Sequence, residues 1–336
     1  MSVPVSPAGP ARAPAEPAPG LSYPELQRGA RTGLARGALG VVLAFLGVFL
    51  VAPLVVQALF LAGFAVGGHD LSAAADELAD TAHATPAMLA SLNVTLACAI
   101  PVSLLVTVLV HRRRAGWLLS VVARLRWRWL LVCLGLSAVT LAVTLVVSSL
   151  LPVTQTDATA GDVGGHVNDF TATTLAFLLV ILFLTPLQAA GEEFLFRGYL
   201  TQAVGGVFRA RWVAVVVSAV VFALFHGIGQ DVPIFFDRFA FGLVAGVLVV
   251  ATGGLEAGIA MHVLNNFVAF GAALAYSTIG DALTTTSGSW WNIPVTLTQS
   301  LLYLALATWF ARRRGLETRT SERSERGDFA SPVTHL

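Results

Sequence analysis

The chain has 336 residues, of which 56% are hydrophobic and only 12% charged, with a mean hydropathy of +0.78. Soluble chains sit near ~45–50% apolar and ~25% charged, so this balance excludes the soluble classes and implies several bilayer-spanning helices sharing one bundle. The net charge of +1 argues against a nucleic-acid partner, because no excess of positive charge is available to neutralise phosphates.

Residues 1–36 include the Pro- and Ala-rich run PAGPARAPAEPAPG, which has no hydrophobic pattern for a core, and are expected to form a disordered cytosolic tail. The tail does not read as a secretory signal, since the first apolar run begins near residue 38 and is long enough to span. A hydrocarbon core of ~30 Å needs about 20 apolar helical residues. Eight runs approach that length within a transmembrane domain over 37–311, so the expected fold is an all-α, polytopic helical bundle. They are Ala38 to Val66, Met88 to Val110, Trp129 to Leu151, Thr174 to Ala190 with the segment after it, Trp212 to Phe225, Phe239 to Ala251, Leu255 to Tyr276, and Ile293 to Ala311. The sixth is short enough to be a partial or tilted span. Cys98 and Cys133 fall inside these apolar runs and read as packing residues rather than a disulfide framework. Residues 312–336 are polar and charged and are expected to form a second disordered cytosolic tail.

Orientation follows from the basic residues, all of them arginine. Short arginine-rich loops stay on the cytoplasmic side. Arg28, Arg31 and Arg36, the cluster from Arg112 to Arg128, Arg209 and Arg211, and Arg312 to Arg314 all fall at one end of the eight-span frame, whereas the opposite loops carry acids, with Arg238 the basic exception. Both termini are therefore expected in the cytosol. The loop RRRAGWLLSVVARLRWRW interleaves arginines with Trp117, Trp127 and Trp129, the pattern of a helix lying in the headgroup layer. Absence of lysine and abundance of Ala, Val, Leu and Gly suggest a bacterial gene of high GC content, hence a multi-pass protein of a bacterial plasma membrane.

An ionisable residue inside a span is a functional hypothesis by default, because it costs at least a few kcal/mol to place there. Glu192 and Glu193 are the conspicuous acids, in TPLQAAGEEFLFRGYL. On a helix Glu193 and Arg197 share a face while Glu192 points about 100° away, so one carboxylate has a cation in reach and the other is free to face a cavity. Pro186, Gly191 and Gly198 around the pair imply a bend or a close helix contact. In VVFALFHGIG, Phe222 and His226 are one turn apart; in GLEAGIAMHVLNNF, His262 and Asn266 share a face. Read singly, each motif also fits a plain structural role: a charged helix end, an interfacial histidine, interhelical hydrogen-bond glue.

Together, EExxxR, FxxxH and HxxxN, in that order on successive apolar segments, resemble the three motifs of the CAAX protease and bacteriocin-processing family of intramembrane endopeptidases, which includes the type II CAAX prenyl proteases. The resemblance covers Gly191 to Phe270, inside a motif core of 172–276, and leaves the first three spans without a recognised motif. It implies hydrolysis of a peptide bond in a membrane-associated protein or peptide, without a covalent acyl intermediate. Glu192 would activate water with help from His226. His262 and Asn266 would stabilise the oxyanion, Glu193 and Arg197 would support them, and Phe222 would shape the pocket. The family is discussed both as glutamate-dependent and as metal-dependent. No cofactor is certain from these residues; zinc on Glu192, His226 and His262 is the metal alternative, and the absence of H-E-x-x-H spacing favours the metal-free version. Two other readings compete: a non-catalytic immunity or binding membrane protein, and a proton-coupled transporter, although no internal repeat of the transporter kind is visible.

Depth along the helices poses a problem. At 1.5 Å per residue, Glu192 lies about 27 Å from Thr174 at the outer end of its span, whereas His226 lies about 21 Å from Trp212 at the cytosolic start of its own. Tilt or the bend near Pro186 would have to reconcile them, and a site opening toward the cytosol is expected.

Overall fold

A computed structural model describes residues 16–29, 33–148, 150, 167–208, 210–227 and 229–321. Its helices are α1 Leu34–Val66, α2 Leu71–Ala79, α3 Pro86–Leu109, α4 Trp127–Ser148, α5 Ala172–Val207, α6 Arg211–Phe225, α7 Val232–Thr252, α8 Glu256–Tyr276, α9 Ile279–Thr284 and α10 Asn292–Arg313. Among the described residues the extended pairings are two isolated bridges, so the fold is all-α. Seven of the helices are long and apolar enough to cross a membrane, and the protein is an integral membrane protein. The eighth, α6, has the composition but only 15 residues. The short span is thus the fifth rather than the sixth. The sixth is a 21-residue helix because Asp231 caps its start, accepting from the Ile234 amide at 3.0 Å, with Pro233 in the first turn. Asp237 and Arg238, assigned by charge to a loop, consequently lie inside α7.

Three rods are locally irregular, and each irregularity sits at a proline. In α1 a five-residue π segment, Gly47–Val51, precedes Pro53; α3 is interrupted at Cys98, before Pro101; α5 is interrupted at Leu184, before Pro186. Proline removes one intrahelical donor and crowds the preceding turn. A second π segment, Glu193–Leu200, follows in α5. In its widened turn the Phe196 carbonyl accepts from the Thr201 amide, and also from Thr201 Oγ1 at 2.9 Å and from Ser218 Oγ of α6 at 2.7 Å. The largest core cluster surrounds this part of α5, which packs against α1, α3, α6 and α8. Outward faces of α1, α4 and α5 present Leu, Val and Phe where lipid replaces solvent.

The arginine-bearing end is covered by three segments that the composition assigned to tails or a surface helix. Residues 16–29 dock with Tyr23 and Leu26 fully buried, and the Tyr23 hydroxyl donates to the Leu118 carbonyl at 2.5 Å. Residues 315–321 pair with them: the Gly20 amide donates to the Thr320 carbonyl and the Thr320 amide to that of Leu21. The disorder expected of 1–36 and 312–336 therefore does not hold for these stretches. Residues 1–15, 30–32 and 322–336 lie outside the described residues. The 111–126 loop is a short 3-10 turn, Ala115–Leu118, followed by bends, rather than a headgroup helix. Trp117 and Trp129 are buried, and only Trp127, 68% exposed, is placed as an anchor would be. Arg126 turns inward onto Glu256, Nη2 to Oε2 at 2.6 Å and Nε to Oε1 at 2.8 Å, and donates through Nη1 to the last-turn carbonyl of α7 at Thr252.

Candidate functional site

The motif residues converge beside the π segment of α5. Glu193 and Arg197 share a face there, both fully buried, with Nη1 to Oε1 at 2.9 Å. The guanidinium carbon lies 3.8 Å from the centroid of the Phe222 ring, so Phe222 carries the cation from α6 as well as filling space. Gly258 of α8 makes room for this pair, since a Cβ there would stand 2.6 Å from Glu193 Oε2.

His262, on α8, sits between the two acids. Its Nδ1 is 3.0 Å from Glu193 Oε1 and its Nε2 is 3.5 Å from Glu192 Oε2. Glu192 points away from Arg197, as helical spacing requires. Its Oε1 accepts from Gln188 Nε2 at 2.7 Å, and Gln188 Oε1 accepts in turn from Asn266 Nδ2 at 2.9 Å. An amide–amide–carboxylate relay thus ties α8 to α5 and leaves Glu192 Oε2 without a hydrogen-bond partner. Gln188 is a site residue that the three motifs do not contain. The available signal was a polar side chain one turn before Glu192 on an otherwise apolar helix. Phe241, whose ring packs edge-on against His262 at 5.2 Å, carries no comparable signal.

His226 caps α6 and donates through Nδ1 to the Phe222 carbonyl, 2.8 Å away, which leaves Nε2 as the second site. His226 and Glu192 line one cavity of about 380 Å³, together with Val48, Phe49, Gln57, Ser91, Thr95 and Phe196 among others. His262 and Asn266 do not line it; they stand behind the acids. The depth problem resolves at the turn joining α5 to α6. Glu192 is fifteen residues before Val207 and His226 fifteen after Arg211, so two antiparallel helices carry them to the same level. α5 has 36 residues and runs about 54 Å, longer than the hydrocarbon core, so distance from its outer end misstates depth. The residues that line the cavity lie from the middle of α1 and α3 outward, away from the arginine-bearing end. The cavity reaches Leu78 and Thr81, at the acid-bearing end.

A resident metal fits poorly. Among the described residues no three His, Cys, Asp or Glu side chains are grouped to hold one. Of the candidates Glu192, His226 and His262, the last has both ring nitrogens turned to carboxylates.

The family described as type II CAAX prenyl endopeptidase Rce1-like matches residues 172–268. The chain is also similar to the uncharacterized protein YyaK of Bacillus subtilis (strain 168), with 26% identity over 157 residues, covering 43% of this chain and 52% of that protein. It thus spans about half the length of the curated relative it matches. No solved structure matches.

Proposed function

We propose, from the match of residues 172–268 to the family described as type II CAAX prenyl endopeptidase Rce1-like, that this protein is an intramembrane endopeptidase, a glutamate-dependent hydrolase of a peptide bond in a membrane-associated protein or peptide. The observation that carries the reading is the placement of Glu192 and His226 on one cavity, with His262 held between Glu192 and Glu193 behind it.

Proton bookkeeping gives each group a task. Water in the cavity donates to Glu192 Oε2 and His226 Nε2, which directs its lone pair at a scissile carbonyl; Glu192 takes the proton as the water oxygen attacks. Anchored at Nδ1 by Glu193, His262 turns Nε2 toward Glu192 and toward the charge that develops on a carbonyl beside it. Asn266 has two amide hydrogens; Gln188 takes one, and the other serves as the second oxyanion donor once a substrate carbonyl reaches past Glu192 toward α8. Glu193 and Arg197 neutralise each other and hold His262 in its tautomer. Collapse of the tetrahedral intermediate returns the proton from Glu192 to the leaving amine. No step is routed through a metal.

The test is comparative proteomics of membranes from cells carrying the wild-type protein or Glu192→Gln. Accumulation of an uncut precursor with the variant, and its cleavage by purified wild-type protein in detergent, is the expected result. Cleavage that persists in Glu192→Gln would overturn the mechanism, and unchanged proteomes would overturn the activity.

A further inference from the structure

The cavity holds a second pattern, on α3. Met88, Ser91, Leu92, Thr95, Leu96 and Ala99 line one wall at helical spacing. Ser91 and Thr95, both buried, bring hydroxyls to an otherwise apolar surface. One helical turn separates them, about 6 Å along the axis. Alternate residues of an extended chain repeat at about 6.6 Å. Two hydroxyls so spaced match successive backbone groups on one edge of an extended peptide, while the leucines and Met88 beside them meet its side chains. Gln57 of α1 faces the same space.

The lining residues lie toward one end of the bundle. The cavity-lining part of α3 is the half nearer Pro86, and Leu78 and Thr81 lie at the acid-bearing end. The arginine-bearing end is covered by the docked segments 16–29, 111–126 and 315–321, with Tyr23, Leu26 and Trp117 fully or almost fully buried. Toward lipid, the rings of Phe49 and Phe225 lie 4.6 Å apart between α1 and α6.

We propose that this cavity is a binding channel for an extended apolar peptide segment, entered from the acid-bearing end, with Ser91 and Thr95 pairing the peptide backbone and Glu192 and His226 at its inner end. The identity of the occupant rests on the hydrolase reading; the route does not.

The experiment uses the full chain with Glu192→Gln, Cys98→Ala and Cys133→Ala, and Leu92→Cys as a reporter inside the channel, with Leu96→Cys as a second reporter. Arg112→Cys marks the arginine-bearing side. A membrane-impermeant maleimide should label either reporter from the side opposite to Arg112→Cys, in intact cells against inverted vesicles. A short synthetic Ala/Leu peptide should slow that labelling by about tenfold, the effect of two net hydrogen bonds, and its fully N-methylated counterpart should not. Labelling from the Arg112→Cys side, or only by a lipid-soluble maleimide, overturns the route; equal slowing by both peptides, or by neither, overturns the hydroxyl pairing. Labelling and protection as expected with unchanged membrane proteomes would remove hydrolysis and keep the channel, whereas an accumulating precursor without protection would do the reverse.

Discussion

Glu192 and Glu193 are neighbours in sequence with opposite surroundings. Glu193 is enclosed by Arg197 and His262, and Glu192 keeps one oxygen unpartnered beside a cavity. Replacing Asn266 with Ala should lower kcat by about 10²–10³ if it supplies an oxyanion donor, with KM for the recovered precursor little changed. A rise in KM alone would assign it to binding instead. Arg197→Met leaves Glu193 buried and uncompensated, which should cost about 3–5 kcal/mol of stability; the double variant with Glu193→Gln should recover much of it, as read by thermal unfolding in detergent. His111, in the loop after α3, is lowered from the usual 6.5 to about 4, first by burial and then by Arg113 and Arg36. A depressed folded value means that the unfolded chain binds the proton first, so stability is full above about 6.5 and falls as pH drops toward about 4. His111→Gln should flatten that slope in unfolding temperature between about pH 7 and about pH 5.

At the scale of elements, the site depends on how closely rods approach. Gly191 of α5 faces the backbone of α3, where an added Cβ would come within 2.2 Å of the Leu96 carbonyl. That neighbour is main chain and cannot rotate away, so Gly191→Ala should force α3 and α5 apart, lowering the unfolding temperature and widening the wall of the cavity beside Glu192. An unfolding temperature and activity equal to wild type would mean that the two rods are not held at this distance. The π segment explains why spacing arguments succeed only in part here. Glu193 and Arg197 still meet four apart, but the Phe196 carbonyl also takes a hydrogen bond from Ser218 of another helix, which no local pattern encodes.

For the whole molecule, the docked termini are as much part of the fold as the spans. Leu26→Ala lies in a segment whose composition reads as tail; because Leu26 is fully buried, the change should cost about 2–5 kcal/mol, and a near-zero shift in unfolding temperature would mean the segment is not docked. Apolar content, run length and the three motifs were enough to read from the residues an all-α membrane bundle, its family, and the helix faces that carry Glu192, His226, His262 and Asn266. Those properties are local: they depend on composition and on a 3.6-residue period that persists wherever the helix goes. The meeting of His262 with both acids, the Gln188 relay, the inward turn of Arg126 and the end toward which the cavity lies arise from contacts between residues tens to hundreds of positions apart. Backbone pairing between 20–21 and 320, likewise, uses groups every residue possesses. Only tertiary structure could decide these, because contact across the bundle depends on rod tilt, kinks and approach distance, none of which a linear pattern of polarity carries.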